Sequence, residues 1–185
     1  MATTQNPTSA MTQWRVDPTH SNVAFAIKHM MIATVRGRFA ELDGTIQYDE
    51  SHPTNSKVEV SIAVASIDTR AADRDAHLRS ADFFDAEKYA QITFRSTRVE
   101  NAGAGHLKVS GDLTIHGVTR PVVLDVTEEG RGKDPWGGQR AGFSAATTID
   151  RRDFGLVWNQ ALEQGGLLVG HEVKVTIDIE LVRQD

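Results

Sequence analysis

The chain has 185 residues, 39% of them apolar and 24% charged, with a formal net charge of −5 and no cysteine. That balance fits a single globular domain rather than a disordered chain. The missing cysteine excludes disulfides, a thiol nucleophile and a Cys-ligated zinc, and the acidic total argues against nucleic acid, which calls for a net basic face.

The opening MATTQNPTSAMTQ, residues 1–13, is polar and small and reads as a disordered tail. It has neither the basic start nor the apolar run of about 7–15 residues that a secretory signal needs. No stretch approaches the roughly 20 apolar residues of a membrane span. The expectation is a cytoplasmic protein that does not span a membrane, with one domain over residues 14–185.

Strand patterns then follow in order. Asn22–Lys28 is the first and Val35–Tyr48 the second. The second changes parity between Phe39 and Leu42, where a β-bulge would keep both halves facing inward. Val58, Val60, Ile62 and Val64 alternate with other residues, and Ile92–Val99 forms the next pattern. Leu107, Val109, Leu113 and Ile115 share a face with Gly111, and Val122–Val126 follows. Phe143, Ala145, Thr147 and Ile149 make another face. In the last segment Val173, Val175, Ile177, Ile179 and Leu181 alternate strictly with Glu172, Lys174, Thr176, Asp178 and Glu180. Period-two alternation marks a strand with one apolar and one wet face. The stretches NAGAG, IHGVTRP and GRGKDPWGG read as turns between strands. About eight strands at hairpin spacing predict an all-β antiparallel barrel or sandwich. Periodicity alone does not separate a hollow barrel from a solid core.

One stretch departs from this pattern: SIDTRAADRDAHLRSADFFD, residues 66–85. Ala71–Arg79 is rich in helix formers and free of β-branched residues, and Ser80 could cap a second turn. One or two short helices near residues 71–85 are expected, anchored by Leu78, Phe83 and Phe84.

The chemical motifs are incomplete. Seven histidines include no HExxH pair, and His171 and Glu172 point to opposite faces of a strand. Only a non-local meeting of His20, His29, His77 and His116 would make a metal site, so no metal or other cofactor is assigned. GFSAA around Ser144 lacks the final glycine of a nucleophile elbow, and RRDFGL has no accompanying phosphate loop. The aspartates at 73, 75, 82 and 85 could act as acid and base, or pair with Arg70, Arg74 and Arg79. The arginines, with Arg36, Arg38, Arg151 and Arg152, suit a phosphate or carboxylate as well as they suit local ion pairs.

Taken together, WRVDPTHSNVAFAIKHMMIATVRGRF, SIDTRAADRDAHLRSADFFD, ITF, GDLTIHGVTRPVVL and RRDFGL resemble the YceI-like family from Trp14 to about Val182. The resemblance implies an extended, lipocalin-like antiparallel β-barrel. Its apolar lumen would hold a polyisoprenoid, such as an isoprenoid phosphate or quinone-type lipid, or another long-chain amphiphile. It implies a binding or carrier protein without enzymatic activity. Ala90 departs from the family, where proline is common, and many relatives are exported. On this reading Phe25, Phe39, Phe84, Phe94, Leu113, Phe143 and Ile177 line the lumen or its cover, while His20, Arg74 and His77 are candidate head-group contacts. A homodimer is left open. Two rival readings are a hydrolase using His and Asp near the helical cover and a stress-related scaffold with an incidental cavity.

Overall fold

The computed structural model describes residues 11–184. The first strand, β1, is Thr12–Val16, so ordered structure begins two residues before the expected boundary at Trp14. The remainder of the expected tail, residues 1–10, lies outside the described residues. The following strands are β2 (Asn22–His29), β3 (Ala33–Phe39), β4 (Leu42–Tyr48), β5 (Lys57–Ala63) and β6 (Ile67–Asp68). After helix α1 (Ala72–Arg79) come β7 (Gln91–Gly103), β8 (His106–Ile115), β9 (Val118–Lys133), β10 (Gln139–Asp150) and β11 (Val169–Gln184).

Eleven segments make eight staves. β1 with β2, β3 with β4 and β5 with β6 each form one interrupted stave, and every stave pairs antiparallel with its neighbour in sequence. β11 closes the ring: Val173–Asp178 pair with β2, and Leu181–Gln184 with β1. The result is a closed up-and-down barrel with no free edge strand in the ring. Two of the three interruptions, β3–β4 and β5–β6, are stitched together. Ala40 N–H donates to Ser66 O, and Ala63 N–H to Glu41 O. The Ser66 hydroxyl accepts from Glu41 N–H and donates to Ala63 O. The parity change at Phe39–Leu42 is thus a break in the strand rather than a bulge, and both residues are buried.

The remaining differences from expectation have local causes. α1 is the one α-helix among the described residues. Residues 81–84 form hydrogen-bonded turns, because the Ser80 carbonyl accepts from both Phe83 and Asp85 N–H. GRGKDPWGG is a turn only over its later part. β9 runs on to Lys133, and Asp134 accepts from the Trp136 and Gly138 amides to close the turn. Pro121 is tolerated inside β9 because β9–β10 pairing ends at Ala146↔Asp125, so its missing N–H costs no ladder bond to β10.

Apolar residues point in and charged residues out, the inverse of a transmembrane barrel. On β11 the side chains of Glu172, Lys174, Thr176 and Asp178 are exposed, while Val173, Val175, Ile177, Ile179 and Leu181 face inward. No helix among the described residues is long and apolar enough to cross a membrane. The ends of the barrel differ. An upper end carries the β2–β3 hairpin, α1 with residues 80–90, and the long segment 151–168. A lower end carries the turns at 49–56, 104–105 and 134–138.

Candidate ligand-binding lumen

The inward faces do not meet to make a solid core. They enclose an elongated cavity of about 460 Å³, within the range of ligand sites in proteins. It runs from Val35, His29 and Leu168 at the upper end to Tyr48, Leu107 and Val126 at the lower end. Its wall is alkyl and phenyl along most of that length. Many wall residues, Ile177 and Leu113 among them, are only half-buried because they border this hollow.

Phe25, Phe39, Phe84, Phe94, Leu113, Phe143 and Ile177 all line the cavity. Phe25, Phe39 and Phe84 form a chain of rings, with centroids 5.7 and 5.9 Å apart. This chain ties β2 and β3 to the segment after α1. Phe143 meets Tyr48 edge-on at 6.3 Å near the lower end. Two glycines make the aromatic wall feasible. Gly37 sits opposite Phe25 on the neighbouring strand, and a Cβ there would overlap the Phe25 ring. Gly111 lets the Phe94 ring lie flat over β8, where a Cβ would overlap both that ring and the Arg95 carbonyl. This is the aromatic cover over a strand glycine that sheets use where backbone would otherwise be bare.

At the upper end α1 is pinned by its own first turn. Asp75 is buried and accepts from both the N–H and the hydroxyl of Thr69. Arg74, which lines the cavity, donates through Nε to Thr69 Oγ1 at 2.7 Å and through Nη2 to Thr69 O at 2.8 Å, and its Nη1 has no partner among the described residues. The His77 ring packs edge-on against Phe83 and Trp158, at 5.1 and 4.8 Å, and its Nε2 lies 2.8 Å from Asp82 Oδ2. The Ser80 hydroxyl bonds to the His77 carbonyl, not to its ring, so no nucleophile–base pair forms there.

His20 is placed elsewhere. It stands on the outside of the barrel, 2.9 Å from Asp17, and does not line the cavity. The break between β1 and β2 turns its side chain outward, which removes it from the candidate head-group contacts. Asp17, His20 and Glu180 come together as metal ligands might, but Arg140 already donates to both carboxylates. The Thr19 hydroxyl and His20 hold the Asp17 carboxyl well below its usual range, and the Asp17 carboxylate raises His20 in turn. His29, His77 and His116 do not join them; His116 packs on Tyr89.

Two residues of the site carry no strand signal. Trp158 lies in the irregular segment after the Arg151–Phe154 turn and completes the ring cluster with His77 and Phe83. Arg151 is buried beside the cavity, with Nε donating to Gly170 O and Nη1 to Leu156 O and Trp158 O. Burial lowers its pKa, and the carbonyls supply the compensation that a buried guanidinium requires. Ser144 donates to Glu129 on the neighbouring strand, as an ordinary strand serine does. The arginines do not converge: Arg38 pairs with Asp68 and Arg152 with Asp150, while Arg74, Arg79 and Arg151 bind hydroxyl or carbonyl oxygens.

Comparison with known proteins agrees with this barrel. The profile of the YceI-like domain matches residues 14–181. The chain belongs to the YceI-like family. A relative named only as a UPF0312 protein, from Vibrio cholerae serotype O1, is 45% identical over 137 residues, which are 74% of this chain and 72% of the relative. The crystal structure of Burkholderia cenocepacia BcnA superposes with a TM-score of 0.79 at 25% identity, over 89% of this chain and 98% of that one. A polyisoprenoid binding domain from Saccharophagus degradans, described as implicated in plant cell wall breakdown, gives a TM-score of 0.68 at 17% identity, over 95% of this chain and all of that one. That last likeness is one of fold. The YceI-like chain thus places its sequence-matched aromatics and its helix around a single lumen.

Proposed function

We propose that this YceI-like protein is a binding protein that holds one long-chain lipid of the isoprenoid class in its lumen and carries out no catalysis on it. The observation that carries the reading is the lumen itself: an apolar tube of about 460 Å³ reaching through most of the barrel. A flexible hydrocarbon chain is the ligand that fills such a shape. Each methylene moved from water into it contributes about 0.8 kcal/mol before binding costs. The ionisable cationic lining groups lie at the upper end, where Arg74 Nη1 has no partner among the described residues and His77 lies on the rim, while the lower end offers only the Ser56 and Tyr48 hydroxyls. That asymmetry suits an amphiphile with one polar end, either a phosphate or a quinone-type ring. The Saccharophagus domain, named for polyisoprenoid binding, shares the fold and supports the same class.

Leu113→Gln tests the reading. Its side chain borders a hollow, so the amide of the variant stays hydrated in an empty barrel but is stranded against a bound alkyl chain. An amide left without a partner costs about 1–3 kcal/mol. The variant should fold, and native mass spectrometry with lipid extraction should show lipid occupancy reduced about tenfold. Wild-type protein that takes up no long-chain lipid, or a stable variant with unchanged occupancy, contradicts the proposal.

A further inference from the structure

Five of the eight exposed large hydrophobic side chains among the described residues, Met30, Met31, Ile32, Val157 and Leu167, lie at the upper end of the barrel. Met31 and Ile32 form the tip of the β2–β3 hairpin and are 67% and 80% exposed. The hairpin and the segment carrying Leu167 are tied together, because Met30 N–H donates to Leu168 O at 2.8 Å. Directly inside this rim the lumen begins, at His29, Val35 and Leu168. The exposed apolar tip therefore adjoins the upper end of the cavity.

The tip is also an uncommon turn. Met30 and Met31 both adopt left-handed backbone, with φ of 51° and 60°. Asn and Gly fill this kind of two-residue turn at least cost, and bulky side chains there are strained. A strained turn that places two methionines and an isoleucine in water has no folding rationale.

Beneath the tip the outer face of the barrel is basic. Arg36 and Lys174 flank Ala26 in register across β3, β2 and β11, and Lys28 lies on the same face one pair nearer the tip, its Nζ on Thr34 Oγ1. None of the three makes an ion pair among the described residues. The acids on the adjoining strands, Asp68 and Asp150, are taken by Arg38 and Arg152. Glu172 shares the face without pairing to any of the three. This local basic collar stands on a chain whose net charge is −5.

We infer that the upper rim docks on an anionic lipid bilayer, with Met31 and Ile32 entering the interface and Lys28, Arg36 and Lys174 facing the lipid phosphates. An apolar tip above a basic collar is the arrangement by which peripheral elements sit in the headgroup region. It also brings the mouth of the lumen to the surface from which a lipid would be loaded or to which it would be released. That consequence rests on the lumen reading above; the docking itself does not.

The test is co-sedimentation of the full, delipidated chain with vesicles of phosphatidylcholine alone or mixed with phosphatidylglycerol. Wild type should bind the mixed vesicles and bind the neutral ones more weakly. M31D/I32D should lose binding to the mixed vesicles by at least tenfold. K28E/R36E/K174E should lose the preference for phosphatidylglycerol, at about fivefold per charge site. Both variants alter exposed side chains, and unchanged melting temperatures check that they fold. Lipid occupancy of the lumen, read separately by native mass spectrometry, should survive in M31D/I32D, so failure of docking and failure of the carrier reading give different results. Wild type that ignores anionic vesicles, or variants that bind as well as wild type, overturns the inference. So does a wild-type dimer without vesicles that M31D/I32D dissociates, which would assign the rim to a second copy of the chain.

Discussion

The two ends of the barrel are closed by different chemistry. At the lower end, charged side chains from strands and turns bind one another across the mouth of the barrel. Arg131 covers the Tyr48 ring at 4.6 Å while bonding Glu50 and Glu128, and Arg140 bonds Asp17, Asp134 and Glu180. At the upper end Arg74, Arg79 and Arg151 bind hydroxyl or carbonyl oxygens beside one local ion pair, Arg152–Asp150, aromatic rings meet across three loops, and the backbone is strained. All five non-glycine residues with positive φ among the described residues, Met30, Met31, Arg70, Asp85 and His116, are found there. Strain held only by surrounding packing marks places where a structure changes locally. The lower end is thus a fixed floor, and the upper end is the part of the protein suited to exchange.

Arg151→Met should produce the largest effect on this contrast. It strands the carbonyls of Leu156, Trp158 and Gly170 that Arg151 now satisfies, at about 1–3 kcal/mol each before relaxation. Chemical denaturation should show a loss of about 3 kcal/mol or more, with amide exchange rising first in residues 155–170. Loosening that began instead at the lower end would reverse the comparison.

Trp158→Ala should act on exchange more than on stability. The ring is half-buried and bears on His77 and Phe83. A loss of about 1 kcal/mol is expected from the edge contacts, together with several-fold faster release of a fluorescent long-chain lipid in stopped flow. Release as slow as wild type would remove the upper ring cluster from the exit route.

The smallest effect concerns the floor and is seen as a pH dependence. Asp17 raises the pKa of His20 above its usual 6.5. A raised folded-state value means stabilisation that is fully present below about pH 6.5 and lost as pH climbs through the folded value. In the same network Asp17 is held below its usual 3.8, which stabilises above that value and is lost in strong acid. His20→Gln should therefore melt below wild type in mild acid and converge with it in alkali. A gap between the two that widened with rising pH would contradict the assignment.

The walls of this molecule are far more legible in its sequence than its ends. Alternation on β11 and β8 gives the inward residues directly, because a barrel has one inside and a strand has two faces. That is why Leu113 and Ile177 could be placed on an inward face without any long-range information, whereas a lumen behind that face was implied only by the family resemblance. The ends depend on partners distant in sequence. Arg140 meets Asp17 across 123 residues, and nothing in GGQRAG indicates it. Trp158 sits in a stretch without periodicity, and only its size, in an otherwise polar loop, could have drawn notice. His20 was readable as a motif residue but not as an outward one, since the β1–β2 break that turns it outward is created by pairing to β11. Of the one or two short helices expected near residues 71–85 one forms, and residues 81–84 close as turns on the Ser80 carbonyl.

The meander has a consequence for how the chain may be cut and rejoined. Gln13 lies in register with Gln184, so the first and last strands are neighbours at the floor, and every other neighbour in the ring is also a neighbour in the chain. Covalently the barrel is almost a circle with one gap. A permuted chain, with a short linker across that gap and new termini at the Ala104–Gly105 hairpin, keeps every strand pairing except the bonds at the cut turn. It should reach the same barrel, with the former closing pair now a local hairpin. The long-range closing pair is then β7 with β8, which spans the permuted chain as the old pair spanned the parent, so it should fold at a similar rate.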